Sequence, residues 1–231
     1  MYCLKMTERS VREGSALAAR NTARISIAEL AMGPHSALTA AEIRSLIDES
    51  PVPIIVADYG AGEHAAGLLL AAAQYGAAYI ETGNEETADM IARSGELREG
   101  GGRLIRRLDF SGRLPLDVGA RADAAKAGGA GVKVAVQLRG TADALRFVQA
   151  AGELAGIEEK ILIGEGEPGF FTRILYRRFG SLWTYAVAER PAPEEAVRTG
   201  RADHRRRQPR EEINMTRLTA TAALAAGLRL A

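Results

Sequence analysis

Lys133 is the residue whose type and setting most directly suggest chemistry. It lies within the apolar run VKVAV at residues 132–136, which is typical of a parallel-sheet strand buried on both faces. An unpaired ammonium is costly to bury, and a lysine avoids that cost by losing its proton. We therefore predict a lysine with a lowered pKa, whose neutral amine can attack a carbonyl group. A lysine that pairs with a carboxylate, or that reaches solvent from a strand end, would explain the run as well.

The segments that must position this lysine alternate between strands and helices. After it come a helical pattern at 144–154, a buried strand at 160–163, a glycine-rich turn at 164–169, a short helix that carries Arg173, and a strand at 181–186. Before it the pattern predicts strands at 2–6, 24–30, 53–57, 77–81 and 103–107, and helices at 8–20, 40–49, 63–75, 86–93 and 116–127. Thr39 is a suitable N-cap for the helix at 40–49. Eight such units are the number that closes a TIM-type barrel.

The bulk composition excludes several classes of protein. The chain has 231 residues, 26% charged residues and a formal net charge of +1, so no strong field draws it to nucleic acid or to a membrane. A single cysteine, Cys3, cannot form an intramolecular disulfide, and three scattered histidines make a metal site improbable. Residues 1–20 lack the apolar core of a signal peptide, and no apolar run is long enough to span a bilayer. We expect a cytoplasmic protein.

Four motifs occur in an order and at a spacing that one known family shares. They are Lys133-Val134-Ala135, GEGEPGFFTRI at 164–174, FGSLWTYA at 179–186 and PAPEE at 191–195. The chain resembles the type I 3-dehydroquinate dehydratases of the shikimate pathway, whose motifs read K-x-A, i-x-M-G-x-x-G-x-x-S-R-i, f-G-S-x-x-T-y-A and S-A-P-G-Q. The resemblance extends more faintly back to about residue 1 and stops near Val197.

This resemblance implies a TIM-type (β/α)8 barrel and a lyase reaction in aromatic amino-acid biosynthesis. The family converts 3-dehydroquinate to 3-dehydroshikimate and water with neither a metal nor an organic cofactor. Lys133 would form a Schiff base with the substrate ketone, which makes the proton on the adjacent carbon acidic. Arg173 would bind the substrate carboxylate through its planar guanidinium, and Glu29 would add a minor polar contact.

Several positions depart from the family pattern. The family places a proton-shuttle histidine in the strand motif S-x-H-D-f, and Leu108 occupies that position here. The family's D-x-E pair, whose second acid orients that histidine, reads Glu81-Thr82-Gly83. Its T-x-R motif ends in Tyr59, and its E-l-R motif keeps Glu29 but ends in Ala31. Loss of a general acid–base group typically costs about 10²–10⁴-fold in rate.

Three functions fit these departures. The chain is a dehydratase with rewired proton transfer, a catalytically silent barrel that keeps its lysine and serves as a scaffold or partner module, or a different lysine-dependent lyase or aldolase on the same fold. In the first case His64 or His35, in loops that follow strands, could substitute for the missing histidine. Solvent-exposed loop histidines with no such role would fit the sequence equally well.

The chain changes character after the barrel. We expect a barrel over 1–197, a basic linker over 198–212, and a tail rich in Ala and Leu over 213–231. Some members of the resembled family are fused to shikimate dehydrogenase, so the tail could be the stub of such a domain or a plain alanine-rich segment. A shikimate dehydrogenase and a second copy of the chain are the protein partners that the resemblance suggests.

Overall fold

The strands form one sheet that curves into a barrel. The computed structural model describes residues 1–7, 16, 18–19, 22–60, 62–126 and 130–186. Within these residues the strands are β1 (Tyr2–Thr7), β2 (Ile27–Met32), β3 (Ile54–Asp58), β4 (Tyr79–Thr82), β5 (Arg103–Phe110), β6 (Gly131–Gln137), β7 (Lys160–Glu165) and β8 (Thr184–Ala186). They are parallel and follow the order β7-β6-β5-β4-β3-β2-β1-β8, which confirms the predicted TIM-type (β/α)8 barrel.

Helices occupy the connections between the strands. They are α1 (Ala40–Glu49), α2 (Ala65–Gln74), α3 (Glu85–Ser94), α4 (Glu96–Gly100), α5 (Val118–Lys126), α6 (Thr141–Glu153) and α7 (Phe170–Ile174), with short 3₁₀ segments at Gly62–His64 and Glu167–Gly169. The predicted cap of α1 is confirmed, because the Thr39 side chain accepts from the Glu42 backbone N–H while the Glu42 side chain accepts from the Thr39 backbone. The sequence pattern missed α4, a single short turn after the left-handed Gly95.

Ser181 joins the two ends of the sheet. It forms an isolated parallel bridge with Lys160 at the start of β7. The Leu182 backbone N–H donates to the Lys160 carbonyl at 2.9 Å, and the Leu162 backbone N–H donates to Ser181 Oγ at 2.9 Å. These bonds bring the segment before β8 against β7 and nearly close the barrel, so side chains from all sides converge on its interior.

Two apolar clusters separate the inside of the barrel from its outer layer. The inner cluster comprises Cys3, Ile27, Ile55, Ala57, Ile105, Ile161, Ile163, Trp183 and Tyr185. The outer cluster comprises Leu114, Val118, Ala122, Ala125, Val132, Val134, Val136, Leu138, Phe147, Ala150, Ala151, Leu154, Ile157 and Leu162. The inner cluster draws its residues from six strands, which can meet only inside a barrel. The outer cluster joins β6 and β7 to α5 and α6. Alternation along a strand therefore decides which side chains reach the interior.

The glycine-rich turn after β7 is compact because two backbones touch. A Cβ on Gly169 would lie 2.4 Å from the carbonyl carbon of Gly164, and a Cβ on Gly164 would lie 3.0 Å from the Gly169 Cα. Gly166 adopts a φ of +80°, in the region that favours glycine. The turn thus folds α7, which carries Arg173, back against the end of β7.

The described residues contain no helix that is both long and apolar enough to cross a membrane. Met1–Tyr185 form one compact unit. Most of the helix predicted at 8–20, and all of the predicted linker and tail, lie outside the residues that the structure describes.

Candidate active site

The Lys133 side chain points into the barrel and is buried, with 3% of its surface exposed. Its Nζ donates to Tyr59 Oη at 2.8 Å, to Tyr185 Oη at 2.9 Å, and to both oxygens of Glu81 at 2.8 and 3.0 Å. An ammonium has three protons, and three neighbouring side chains accept them. The lysine is therefore fully hydrogen-bonded by the protein.

Glu29 completes this group of side chains from the opposite side. Its two carboxylate oxygens accept from Tyr59 Oη at 2.9 Å and from Tyr185 Oη at 2.5 Å, and one of them lies 3.5 Å from Lys133 Nζ. Each tyrosine thus accepts from the lysine and donates to the glutamate. We call these five residues the lysine cluster: Lys133, Glu29, Glu81, Tyr59 and Tyr185.

Four strands and one strand end bring the lysine cluster together. Glu29 comes from β2, Glu81 from β4, Lys133 from β6 and Tyr185 from β8, and Tyr59 follows directly after β3. Inward-facing residues of alternate strands share a layer in this type of barrel, which explains why even-numbered strands supply four of the five. Of the predicted site residues, the structure brings Lys133 and Glu29 into contact, whereas Arg173 lies on α7 and has no direct contact with either.

Charge pairing reverses the direction of the pKa shift that the sequence predicts for Lys133. Burial lowers the pKa of this amine, but the carboxylates of Glu29 and Glu81 together outweigh burial, so that the pKa lies above its ordinary value. The prediction of a lowered pKa was therefore wrong for the protein without substrate. Its physical error was to treat the buried ammonium as unpaired, because a strand pattern cannot show which carboxylates face it across a barrel.

The two glutamates have different environments. Burial and the charge of Glu29 raise the pKa of Glu81, although Lys133 and Arg107 oppose them. Burial also acts to raise the pKa of Glu29, but Lys133, Lys5 and the two tyrosine hydroxyls outweigh it and hold that pKa below its ordinary value. Glu81 is thus the better proton acceptor of the pair, and Glu29 remains ionised.

Two cations besides Lys133 lie close to the Tyr59 ring. Lys5 Nζ lies 4.0 Å from the centroid of the Tyr59 ring, and the Arg107 guanidinium carbon lies 4.1 Å from it. Both distances are within the range of cation–π attraction. Burial, with the charges of Glu29 and Glu81, raises the pKa of Tyr59, so its hydroxyl stays protonated and available as a donor. The family motif has an arginine at this position. Here a tyrosine occupies it, and the cations Lys5 and Arg107 lie beside its ring instead.

Arg107 is the residue of β5 that faces the lysine. It lies opposite Lys133 in the β5–β6 register. Its Nη1 donates to the Asp58 carbonyl at 2.5 Å and lies 3.4 Å from Glu81 Oε1, and its Nε donates to Asp109 at 2.6 Å. Leu108, the residue aligned with the family histidine, packs instead against the outer cluster. A side chain at 108 is thus directed away from the lysine.

Arg173 is half-buried on α7 and makes no hydrogen bond or ion pair with any residue that the structure describes. Burial lowers the pKa of its guanidinium, while Glu165 and Tyr185 act in the opposite direction. A guanidinium without a partner among the described residues is suited to bind an anionic group.

His35 and His64 are exposed, and neither contacts the lysine cluster. His64 ends the 3₁₀ segment Gly62–His64, and His35 lies in the turn after β2. Their use as surrogate proton shuttles remains a prediction that no contact in the structure supports. Among the described residues, no set of three or more His, Cys, Asp or Glu side chains could hold a metal ion.

Sequence reasoning missed the part that Glu81, Tyr59, Tyr185 and Arg107 play in this site. A usable signal was present in β4, where Glu81 is the single charged residue of the strand, as Lys133 is of β6. Two opposite charges, each alone in a buried strand, are best explained as partners.

Comparison with known proteins identifies the barrel. The family model "Type I 3-dehydroquinase" matches residues 37–199. The 3-dehydroquinate dehydratase of Aquifex aeolicus VF5 superposes with a TM-score of 0.70 at 18% identity, covering 84% of this chain and 91% of that chain. The Geobacillus kaustophilus HTA426 enzyme of the same name gives 0.67 at 19% identity, covering 83% of each chain.

A third similar structure carries a ligand. The type I 3-dehydroquinate dehydratase of Clostridium difficile, solved with covalent modified comenic acid, gives a TM-score of 0.68 at 15% identity, covering 81% of this chain and 84% of that chain. No curated protein sequence matches. At these identities the solved structures show the fold, and the family model covers most of the chain, including the strand with the K-x-A motif and the turn before Arg173. The chain therefore belongs to the type I 3-dehydroquinase family.

Proposed function

We propose that the protein is a Schiff-base-forming hydro-lyase that converts 3-dehydroquinate to 3-dehydroshikimate and water. The observation that carries this proposal is the Lys133 amine at the centre of the barrel, within 3.0 Å of a carboxylate that can take its proton. Once neutral, the amine can attack the ketone, and the resulting iminium makes the adjacent C–H acidic. The covalent ligand in the Clostridium difficile relative supports such chemistry on this fold.

Arg173 is the residue that we propose for the substrate carboxylate. Its guanidinium is half-buried and makes no hydrogen bond or ion pair with any described residue, which leaves its donors available to an anionic group. Glu29 has a supporting role in this proposal, because it accepts hydrogen bonds from both tyrosine hydroxyls and balances the charge of the lysine.

One observation favours a second candidate, a catalytically silent barrel. All three protons of Lys133 are accepted by the protein and its pKa is raised, so the resting amine is stored in its unreactive form. Such a barrel would keep the lysine for stability and serve as a scaffold.

Borohydride trapping with a parallel turnover assay separates the two candidates. With 3-dehydroquinate and borohydride, the dehydratase gains the mass of a reduced covalent adduct on Lys133, and dehydroshikimate absorbance appears in the assay without borohydride. An adduct without turnover, or no adduct at all, would overturn the dehydratase. Turnover only with other keto acids would identify a different lysine-dependent lyase.

A further inference from the structure

We propose that Glu81 is the acid–base residue of this site and that Arg107 positions it and tunes its charge. This inference rests on the proposed function. Of the three side chains that accept from Lys133 Nζ, two are tyrosines that donate their own protons to Glu29. Only Glu81 offers a carboxylate, through both of its oxygens. It is also the only one of the three whose ordinary pKa makes it a base near neutral pH.

The geometry around Glu81 explains why this carboxylate, rather than Glu29, would exchange protons. Glu29 lies 3.5 Å from the lysine amine and is occupied by two tyrosine hydroxyls. Glu81 lies at 2.8 Å, and besides the lysine its nearest cation is Arg107, at 3.4 Å. The charged or titratable groups that face Glu81 from the neighbouring strands are Cys3 of β1, Glu29 of β2, Tyr59 after β3, Arg107 of β5, Lys133 of β6 and Tyr185 of β8.

With Glu81 as the proton carrier, every proton in the proposed reaction has a donor and an acceptor. Lys133 first gives a proton to Glu81, and its neutral amine forms a C–N bond with the ketone. The proton returns from Glu81 to the carbinolamine hydroxyl, which leaves as water and yields the protonated imine. Ionised Glu81 then removes the proton from the adjacent carbon and delivers it to the β-hydroxyl, whose C–O bond breaks to release water. Hydrolysis of the conjugated imine consumes one water and restores the ammonium and the carboxylate.

Arg107 is a positioning residue in this scheme. Its guanidinium is fixed by Asp109 and by the Asp58 carbonyl, so its charge is held beside Glu81 without touching Lys133 Nζ. A cation there favours the ionised form of Glu81. The acid limb of the pH–rate profile, which reports ionisation of the base in the free enzyme, should therefore depend on Arg107.

The test compares Glu81→Gln, Glu29→Gln and Arg107→Gln with the wild type, with exposed Glu49→Gln as an outside control. Glu81→Gln should lower kcat/KM by about 10²–10⁴-fold and remove the acid limb. Glu29→Gln, which removes the same charge, should keep that limb. Arg107→Gln leaves Glu81 in place but should move the acid limb to higher pH. Arg107→Lys should bring the limb part of the way back to its wild-type position. Melting curves establish that each variant is folded.

The outcomes separate the two proposals. If the wild type shows no turnover, with or without an adduct, the dehydratase function fails, and this inference fails with it. If the wild type turns over and Glu81→Gln retains both its rate and its acid limb, only the assignment of Glu81 is overturned. Should Glu81→Gln fail to fold, the Arg107→Gln profile decides, and an unmoved acid limb overturns the inference.

Discussion

Lys133 balances the charge of two fully buried glutamates, Glu29 and Glu81, which are both 0% exposed. Taken alone, its strand suggests that Lys133→Met would be tolerated, because the change removes a charge that is costly to bury. The structure predicts the opposite. Loss of the lysine leaves buried carboxylates without their partner, and removal of one member of such a pair costs about 3–5 kcal/mol.

Urea denaturation of Lys133→Met at neutral pH, with exposed Lys126→Met as the matched control, measures this cost. The control should stay within about 0.5 kcal/mol of the wild type. Because the pKa of Lys133 is raised in the folded protein, its stabilisation is fully present below the ordinary lysine pKa and is lost as pH rises through the raised value. If the wild type and Lys133→Met have equal free energies of unfolding at neutral pH, or if the difference between them grows in alkali, the pairing is contradicted.

The direction of side chains on β5 gives a second prediction at the residue scale. Leu108→His restores the residue type of the family motif, but the ring would point into the outer cluster. We expect no gain in Lys133 adduct formation and a loss of about 1–3 kcal/mol in stability from a polar ring in this partly buried, apolar position. Arg107→His places an imidazole opposite Lys133.

An imidazole titrates near neutral pH, so Arg107→His should add an inflection between about pH 5 and 8 to the rate of borohydride-trapped adduct formation. Mass spectrometry of the trapped protein across a pH series measures that rate. Faster trapping in Leu108→His than in Arg107→His would show that residue 108, rather than residue 107, faces the site.

At the scale of single elements, the turn between β7 and α7 sets where Arg173 lies. A Cβ at position 169 would meet the Gly164 carbonyl carbon at 2.4 Å, so Gly169→Ala must move one backbone away from the other. We expect a loss on the order of 1–3 kcal/mol and a raised KM, because a displaced α7 would shift the guanidinium that we propose for the substrate carboxylate.

Gly152→Ala in α6 is the matched control for this change. Gly152 lies in the last turn of α6, and no atom beyond its own stretch of helix lies within 4 Å of an added Cβ, so alanine should be neutral or slightly stabilising there. Urea midpoints and Michaelis–Menten curves of both variants provide the comparison. Equal midpoints, or an unchanged KM in Gly169→Ala, would show that the close approach does not position Arg173.

On the scale of the whole molecule, closure of the barrel brings the site together. Ser181 links β7 to the segment that leads into β8, the strand of Tyr185, and its Oγ accepts a hydrogen bond from the buried Leu162 N–H. Ser181→Ala leaves that N–H without a partner, which costs about 1–3 kcal/mol. Exposed Ser45→Ala should be nearly neutral, and thermal melts that fail to separate the two variants would refute this role of Ser181.

The barrel as a whole was predictable because its signals are local. Strand and helix periodicities, the Thr39 cap and the ordered motifs around Lys133 are all properties of short segments, and the eight predicted units match the eight observed strands. The same local signals identified Lys133 as exceptional, because a lysine in an apolar strand is unusual wherever that strand lies.

Which groups surround that lysine depended on the tertiary structure alone. Glu81 and Lys133 are 52 residues apart, and Glu29 and Tyr185 are 156 apart, yet each pair forms a hydrogen bond inside the barrel. Strand alternation also turned Arg107 inward and Leu108 outward, which alignment with a family motif could not show. Electrostatic energy depends on distances through space, so the sign of the pKa shift of Lys133 was set by barrel closure rather than by its neighbours along the chain.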